Sequence, residues 1–123
     1  GIAEPAGART AWNRRALAAT EPRARGWRAS IINNLGWSLL DDGDPTGALD
    51  AWQQALVAAE ARGDAERIRI AKWTVARGLR ANGRLDEAEA VQRALATELA
   101  RDGKNDPYVQ DELAEIAKAK ATR

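Results

Sequence analysis

The chain has 123 residues, 30% of them charged, yet a formal net charge of only +1, so both signs are interspersed and no strong field for nucleic acid or a membrane surface follows. It contains neither Cys nor His, which removes disulfides, thiolate chemistry, the commonest metal ligand and the commonest general base. No enzyme, no metal site and no cofactor is therefore expected, and the length suits one domain, residues 1–123.

No stretch approaches the roughly 18 consecutive apolar residues of a membrane helix, and no charged start leads into an apolar run. A cytoplasmic chain without membrane contact is expected. Met is absent, which points to loss of the start residue. One local charge bias stands out: Arg9, Arg14, Arg15, Arg23, Arg25 and Arg28 face only Glu4 and Glu21 in the first 30 residues.

The sequence is rich in Ala, Leu, Arg and Glu and poor in β-branched residues, a composition that favours helix throughout. Glu21-Pro22 ends a first predicted helix over about residues 6–20. A second runs from Arg23 to about Asp42 and stops at Gly43, where Asp44-Pro45 supplies an N-cap and a first-turn proline. The third reaches about Arg62, with Gly63 as its stop. Asp64 can cap a fourth, ending at Asn82-Gly83, and a fifth follows over about residues 85–101. Asp106-Pro107 repeats the cap-plus-proline signal and opens the last, towards Ala119. Six helices joined by short turns predict an all-α array of antiparallel hairpins.

Internal repetition supports that array. A shift of 40 lays Leu35, Gly36, Leu39 and Gly43 over Val75, Ala76, Leu79 and Gly83, and a shift of 39 lays Ala51-Trp52-Gln53-Gln54-Ala55-Leu56 over Ala90-Val91-Gln92-Arg93-Ala94-Leu95. Ala8, Ala11 and Trp12 likewise match Ala48, Ala51 and Trp52. The unit is thus a helix pair of about 40 residues. The chain reads as a leading helix (6–20), a first pair (23–62), a second pair (64–102) and a trailing helix (106–119).

Ile32, Leu35, Gly36, Leu39, Ala48 and Trp52, with Ala55 following, fall at the spacing of the tetratricopeptide repeat, which the segment resembles. The second unit fits more loosely: Val75, Ala76, Leu79 and Ala88 match, Lys72 replaces an apolar residue, and the later apolar position is expected to slip by one, to Val91. The usual repeat is about 34 residues, so the longer unit is similar to the long-helix subgroup that includes kinesin light chain and bacterial peptide-sensing regulators. The resemblance implies a right-handed superhelical α-solenoid whose first helices line a concave groove.

Gly36 in mid-helix is read as the point where two helices approach closely, facing Ala48, with Ile32, Leu35, Leu39, Trp52 and Leu56 packed around it. Asn33, Trp37 and Leu40 fall on an adjacent stripe, and the repeat carries it to Trp73, Arg77 and Arg80, then to Asp111, Glu112 and Glu115. The candidate peptide-binding residues are Asn33, Asn34, Trp37, Trp73, Arg77 and Arg80. Carboxamides both donate to and accept from a peptide backbone, tryptophan offers flat apolar area, and guanidinium fixes carboxylates through forked hydrogen bonds. Consecutive residues point about 100° apart, so one of Asn33 and Asn34 is expected inside the groove and the other at its edge or against the next repeat.

The expected function is a protein–protein interaction module that takes a peptide or helix of a partner protein. Self-assembly is the alternative: Trp12 on the leading helix and Tyr108, Leu113 and Ile116 on the trailing one could stack on a second copy to give a homo-oligomer. Nucleic-acid binding through the N-terminal arginines has least support, because a net charge of only +1 gives no strong field for nucleic acid. Asp41, Asp42 and Asp44 do not make a calcium loop, since the twelfth position counted from Asp42 is Gln53 where the pattern requires Glu.

Overall fold

The computed structural model of the chain describes residues 25–123, with side chains from residue 31 onward. Among these residues there are five helices and no strand: α1 (Arg25–Asp41), α2 (Pro45–Arg62), α3 (Ala65–Ala81), α4 (Leu85–Arg101) and α5 (Pro107–Ala121). The sixth helix, expected over 6–20, lies outside the described residues, as does Trp12.

The punctuation acts as expected. Asp44 accepts a hydrogen bond from the Gly47 N–H at 2.9 Å and Pro45 opens α2, so an orphan amide of the first turn is satisfied where the missing proline N–H costs nothing. A side chain at position 47 would collide with that Asp44 carboxylate, which explains a glycine one turn into a helix. Asp64 caps α3 through the Glu66 and Arg67 amides, and Asp106 caps α5 through Tyr108. Gly43, Gly63, Gly83 and Gly103, each 20 residues from the next, all adopt positive φ. Three of the turns they make are alike: the N–H groups of Asp44, Arg84 and Lys104 return to the carbonyls of Leu39, Leu79 and Leu99. Left-handed backbone at this position closes the last turn, and glycine adopts it without Cβ strain.

The chain divides into two compact units, Gly1–Ala71 and Lys72–Arg123, the division falling inside α3. In the first, α1 and α2 pack together. Ile32, Leu35 and Leu39 from α1 and Ala48, Leu49, Trp52, Ala55 and Ala59 from α2 are buried, while Leu56 is only half-buried. The nearest side chain to Gly36 is that of Trp52, one of the residues expected to pack around it. A Cβ at position 36 would strike the indole of Trp52, falling within 2.6 Å of Cδ1 and Cε2. The residue is small to seat a fully buried ring, and the ring's Nε1 donates to the carbonyl of Asn33 at 3.1 Å.

In the second unit α4 and α5 pack together, around a cluster of Leu95, Leu99 and Val109 flanked by Trp73, Val91, Ala96 and Leu113. The slip to Val91 does not occur. Gln92 is fully buried and Val91 half-buried, so the 40-residue offset that relates Gly36 to Ala76 and Ala48 to Ala88 also relates Trp52 to Gln92. Apolar character suggested Val91, but the rotation of α4 is fixed by the turn at Gly83 and by buried Leu85, Ala88, Leu95 and Leu99, which share one face with position 92. The end face drawn for α5 is also revised: Ile116 is fully buried and Leu113 half-buried, leaving Tyr108 exposed.

Candidate functional site

An open cleft of about 710 Å³ lies in the first unit. Asn33 and Asn34 of α1 line it, with Ala55, Ala59 and Arg62 from α2 and residues from Asp64 to Ala71 at the start of α3. Both asparagines line it, half-buried Asn33 and exposed Asn34. The cleft is wide enough to receive two side chains 100° apart on the same helix. Neither carboxamide is hydrogen-bonded to another described side chain, so the two donors and the acceptor of each are uncommitted among the described side chains.

The Asn33 backbone is held from behind. Its carbonyl accepts the Trp52 indole N–H, and Trp37 meets the Trp52 ring edge-on, with centroids 4.8 Å apart at 67°. Trp37 is therefore half-buried against the core, a geometry aromatic pairs favour. The remaining walls are of two kinds. Ala55, Ala59 and Ala71 form small apolar surface beside Ile70, which is 55% exposed. Arg62, Asp64, Glu66 and Arg67 add two charges of each sign, with Arg67 Nε 3.7 Å from Asp64 Oδ2. A site with balanced charge, free amides and shallow apolar surface suits an uncharged backbone with small side chains better than a phosphate or a metal. Among the described residues no group of His, Cys, Asp or Glu is arranged to hold a metal ion. No helix among them is long and apolar enough to cross a membrane.

Trp73, Arg77 and Arg80 belong to the second unit and are engaged there to different degrees. Trp73 Nε1 donates to the Tyr108 carbonyl at 3.1 Å, and the two rings meet edge-on, 6.5 Å apart. Arg80 forms a two-pronged pair with Glu112, at 2.9 and 3.0 Å. Glu112, expected on the groove with Asp111 and Glu115, is buried under this pair, whereas those two are exposed. Arg77 is half-buried and forms no ion pair with the described residues. Burial pulls its guanidinium below the usual value and neighbouring Arg80 adds to this, while Glu112 and Glu115 act in the opposite sense.

The contribution of α2 and the start of α3 to the cleft was not read from the sequence. One signal was available: Ile68 and Ile70 are two positions apart in a helix and so point to opposite sides. Ile68 is half-buried and Ile70 faces the cleft.

Residues 28–62, most of α1 and all of α2, match the family model of the tetratricopeptide repeat. No curated protein and no solved structure matches the chain. Repeats of this type generally mediate protein–protein interactions.

Proposed function

We propose that the chain is a protein–protein interaction module that holds an extended segment of a partner protein in the cleft of the first unit. The observation that supports this reading best is the pair of adjacent carboxamides, Asn33 and Asn34, on one cleft wall with no hydrogen bond to another described side chain. A peptide backbone supplies one donor and one acceptor per residue, so two such amides can bind it whatever its side chains. Apolar side chains of the partner would rest on Ile70 and the neighbouring alanines. Trp37 lies in the same unit as a further candidate contact, and Trp73, Arg77 and Arg80 are separate candidate contacts of the second unit, Arg77 being the guanidinium best able to take a partner's carboxylate. The chain is read as part of a superhelical array of the long-helix kind.

Selection of binding peptides from a displayed random library on the full chain tests this reading. Peptides that bind the wild type should lose affinity at least tenfold for Asn33→Ala or Asn34→Ala, with helicity unchanged. Selected peptides that bind both variants as tightly as wild type would overturn it.

A further inference from the structure

Gln92 is 0% exposed, and neither its Oε1 nor its Nε2 has a hydrogen-bond partner among the described residues. Buried carboxamides are almost always bonded, and one that is not carries its full desolvation penalty. The corresponding residue of the first unit, 40 positions earlier, shows the contrasting solution: Trp52 fills the space above Gly36 and its one polar atom is bonded to Asn33. In the second unit position 76 carries a methyl, Ala76 is also fully buried, and the ring is replaced by an amide. The penalty disappears only when α4 separates from the helices packed on it and water reaches the amide. That lowers the cost of opening α4 relative to a helix pair with an apolar residue at this position.

We propose that Gln92 makes α4 an opening element, so that the second unit samples a state with α4 displaced and Gln92 hydrated while the α1–α2 pair stays closed. Opening of this kind has a defined consequence. α5 rests on α4 through Val109 against Leu95 and Leu99, and α5 also holds Trp73 through the Tyr108 carbonyl and Arg80 through Glu112. Displacing α4 removes the apolar seat of α5 and loosens both clamps, which makes Trp73 and Arg80 available to a partner. Only this last consequence rests on the partner-binding reading; the opening itself does not.

Native-state hydrogen exchange on the full chain, resolved by mass spectrometry, tests the opening. Peptides from α4 should exchange at least tenfold faster than those from α2, in the regime where exchange reports opening equilibria. Gln92→Met, unbranched and apolar, should slow α4 at least tenfold and leave α2 unchanged. Fraying near the chain end would not respond to that substitution. The double variant Ala76→Gly with Gln92→Trp, which copies the first unit's own contact, should act in the same direction and serves if Gln92→Met does not fold. Slowing of α4 in either folded variant supports the proposal. Equal protection of α2 and α4 in the wild type, or α4 exchange unchanged or faster in the folded variants, would overturn it.

Discussion

The indole of Trp52 lies across the bare Cα of Gly36, so close that any side chain at position 36 would occupy the space of the ring. A glycine in a helix interior costs about 1 kcal/mol against alanine. Here it is offset by complete burial of the Trp52 ring and by a hydrogen bond for that side chain's only polar atom.

Gly36→Ala is therefore expected to destabilise the chain despite its better helix propensity. Overpacking costs about 1–3 kcal/mol, and a fully buried, hydrogen-bonded ring with no room to move places this site in the upper part of that range, about 2–3; the propensity gain returns about 1. The net loss should be about 1–2 kcal/mol, seen as a melting temperature lowered by several degrees. An unchanged or raised melting temperature in circular dichroism would contradict the geometry.

The Arg80–Glu112 pair should behave as a partly buried ion pair. The side chains keep 21% and 8% of their exposure, so removing one partner strands a charge in poor contact with water. Fully buried pairs lose about 3–5 kcal/mol on such a change; with some solvent access, Arg80→Met should cost about 2–3. Adding Glu112→Leu should recover most of that loss, because the stranded carboxylate is then gone. A denaturant-unfolding cycle over the two single variants and the double checks this, and additive losses would count against it.

The end of α5 should respond to pH and salt. Lys120 Nζ lies 2.8 Å from Asp86 Oδ1 and 3.3 Å from Glu89 Oε2, and Arg123 reaches Asp86 at 3.2 Å. Hydrogen bonding to Lys120 holds the Asp86 and Glu89 carboxyls below their ordinary values of 3.8 and 4.5, and bonding to Asp86 raises Lys120 above 10.5. Depressed carboxyls contribute stability that is present above the ordinary carboxylate range and is lost as pH falls through their folded values. The raised lysine contributes stability that is complete below its ordinary value and lost as pH rises through the folded one. Asp86 and Arg123 are exposed while Lys120 and Glu89 are half-buried at the surface, so the effect is local and partly screened by salt. Amide resonances of residues 117–123 should show fraying at acid pH and in about 1 M salt, and Lys120→Ala should show the same at neutral pH. Indifference of those resonances to all three would rule the latch out.

Asn33→Ala and Asn34→Ala should separate binding from stability. Alanine is the better helix former by several tenths of a kcal/mol, and neither carboxamide bonds to another described side chain, so each variant should melt at the wild-type temperature or slightly above. Each should nevertheless weaken a selected peptide by about 1–2 kcal/mol, the range of a lost hydrogen bond. Calorimetric titration and thermal unfolding on the same samples provide both readings. A variant that loses binding and stability together would mark the residue as structural.

Most of the helix ends were legible because they are set by local chemistry. Asp44-Pro45, Asp106-Pro107 and the glycines at 43, 63, 83 and 103 act through backbone geometry within a few residues, so their effects do not wait on packing. The match of residues 28–62 to the tetratricopeptide repeat follows from the same kind of regularity, apolar and small residues at fixed spacing. The cleft was legible only in part. Asn33 and Asn34 stood out as polar residues beside a core stripe, but the wall from Ala55 to Ala71 is made by helices that are neighbours only after folding.

What the sequence determined by itself is where most helices begin and end, that small and apolar residues recur at an offset of 40, and which faces are apolar. Which atom meets which was decided by tertiary packing: Gly36 seats the Trp52 ring, Gln92 takes the buried position that Val91 seemed to claim, and Glu112 turns inward to Arg80. Periodicity fixes the direction of a side chain to within a face of the helix. The partner it finds there depends on volumes and unmet hydrogen bonds contributed by residues far away in the chain.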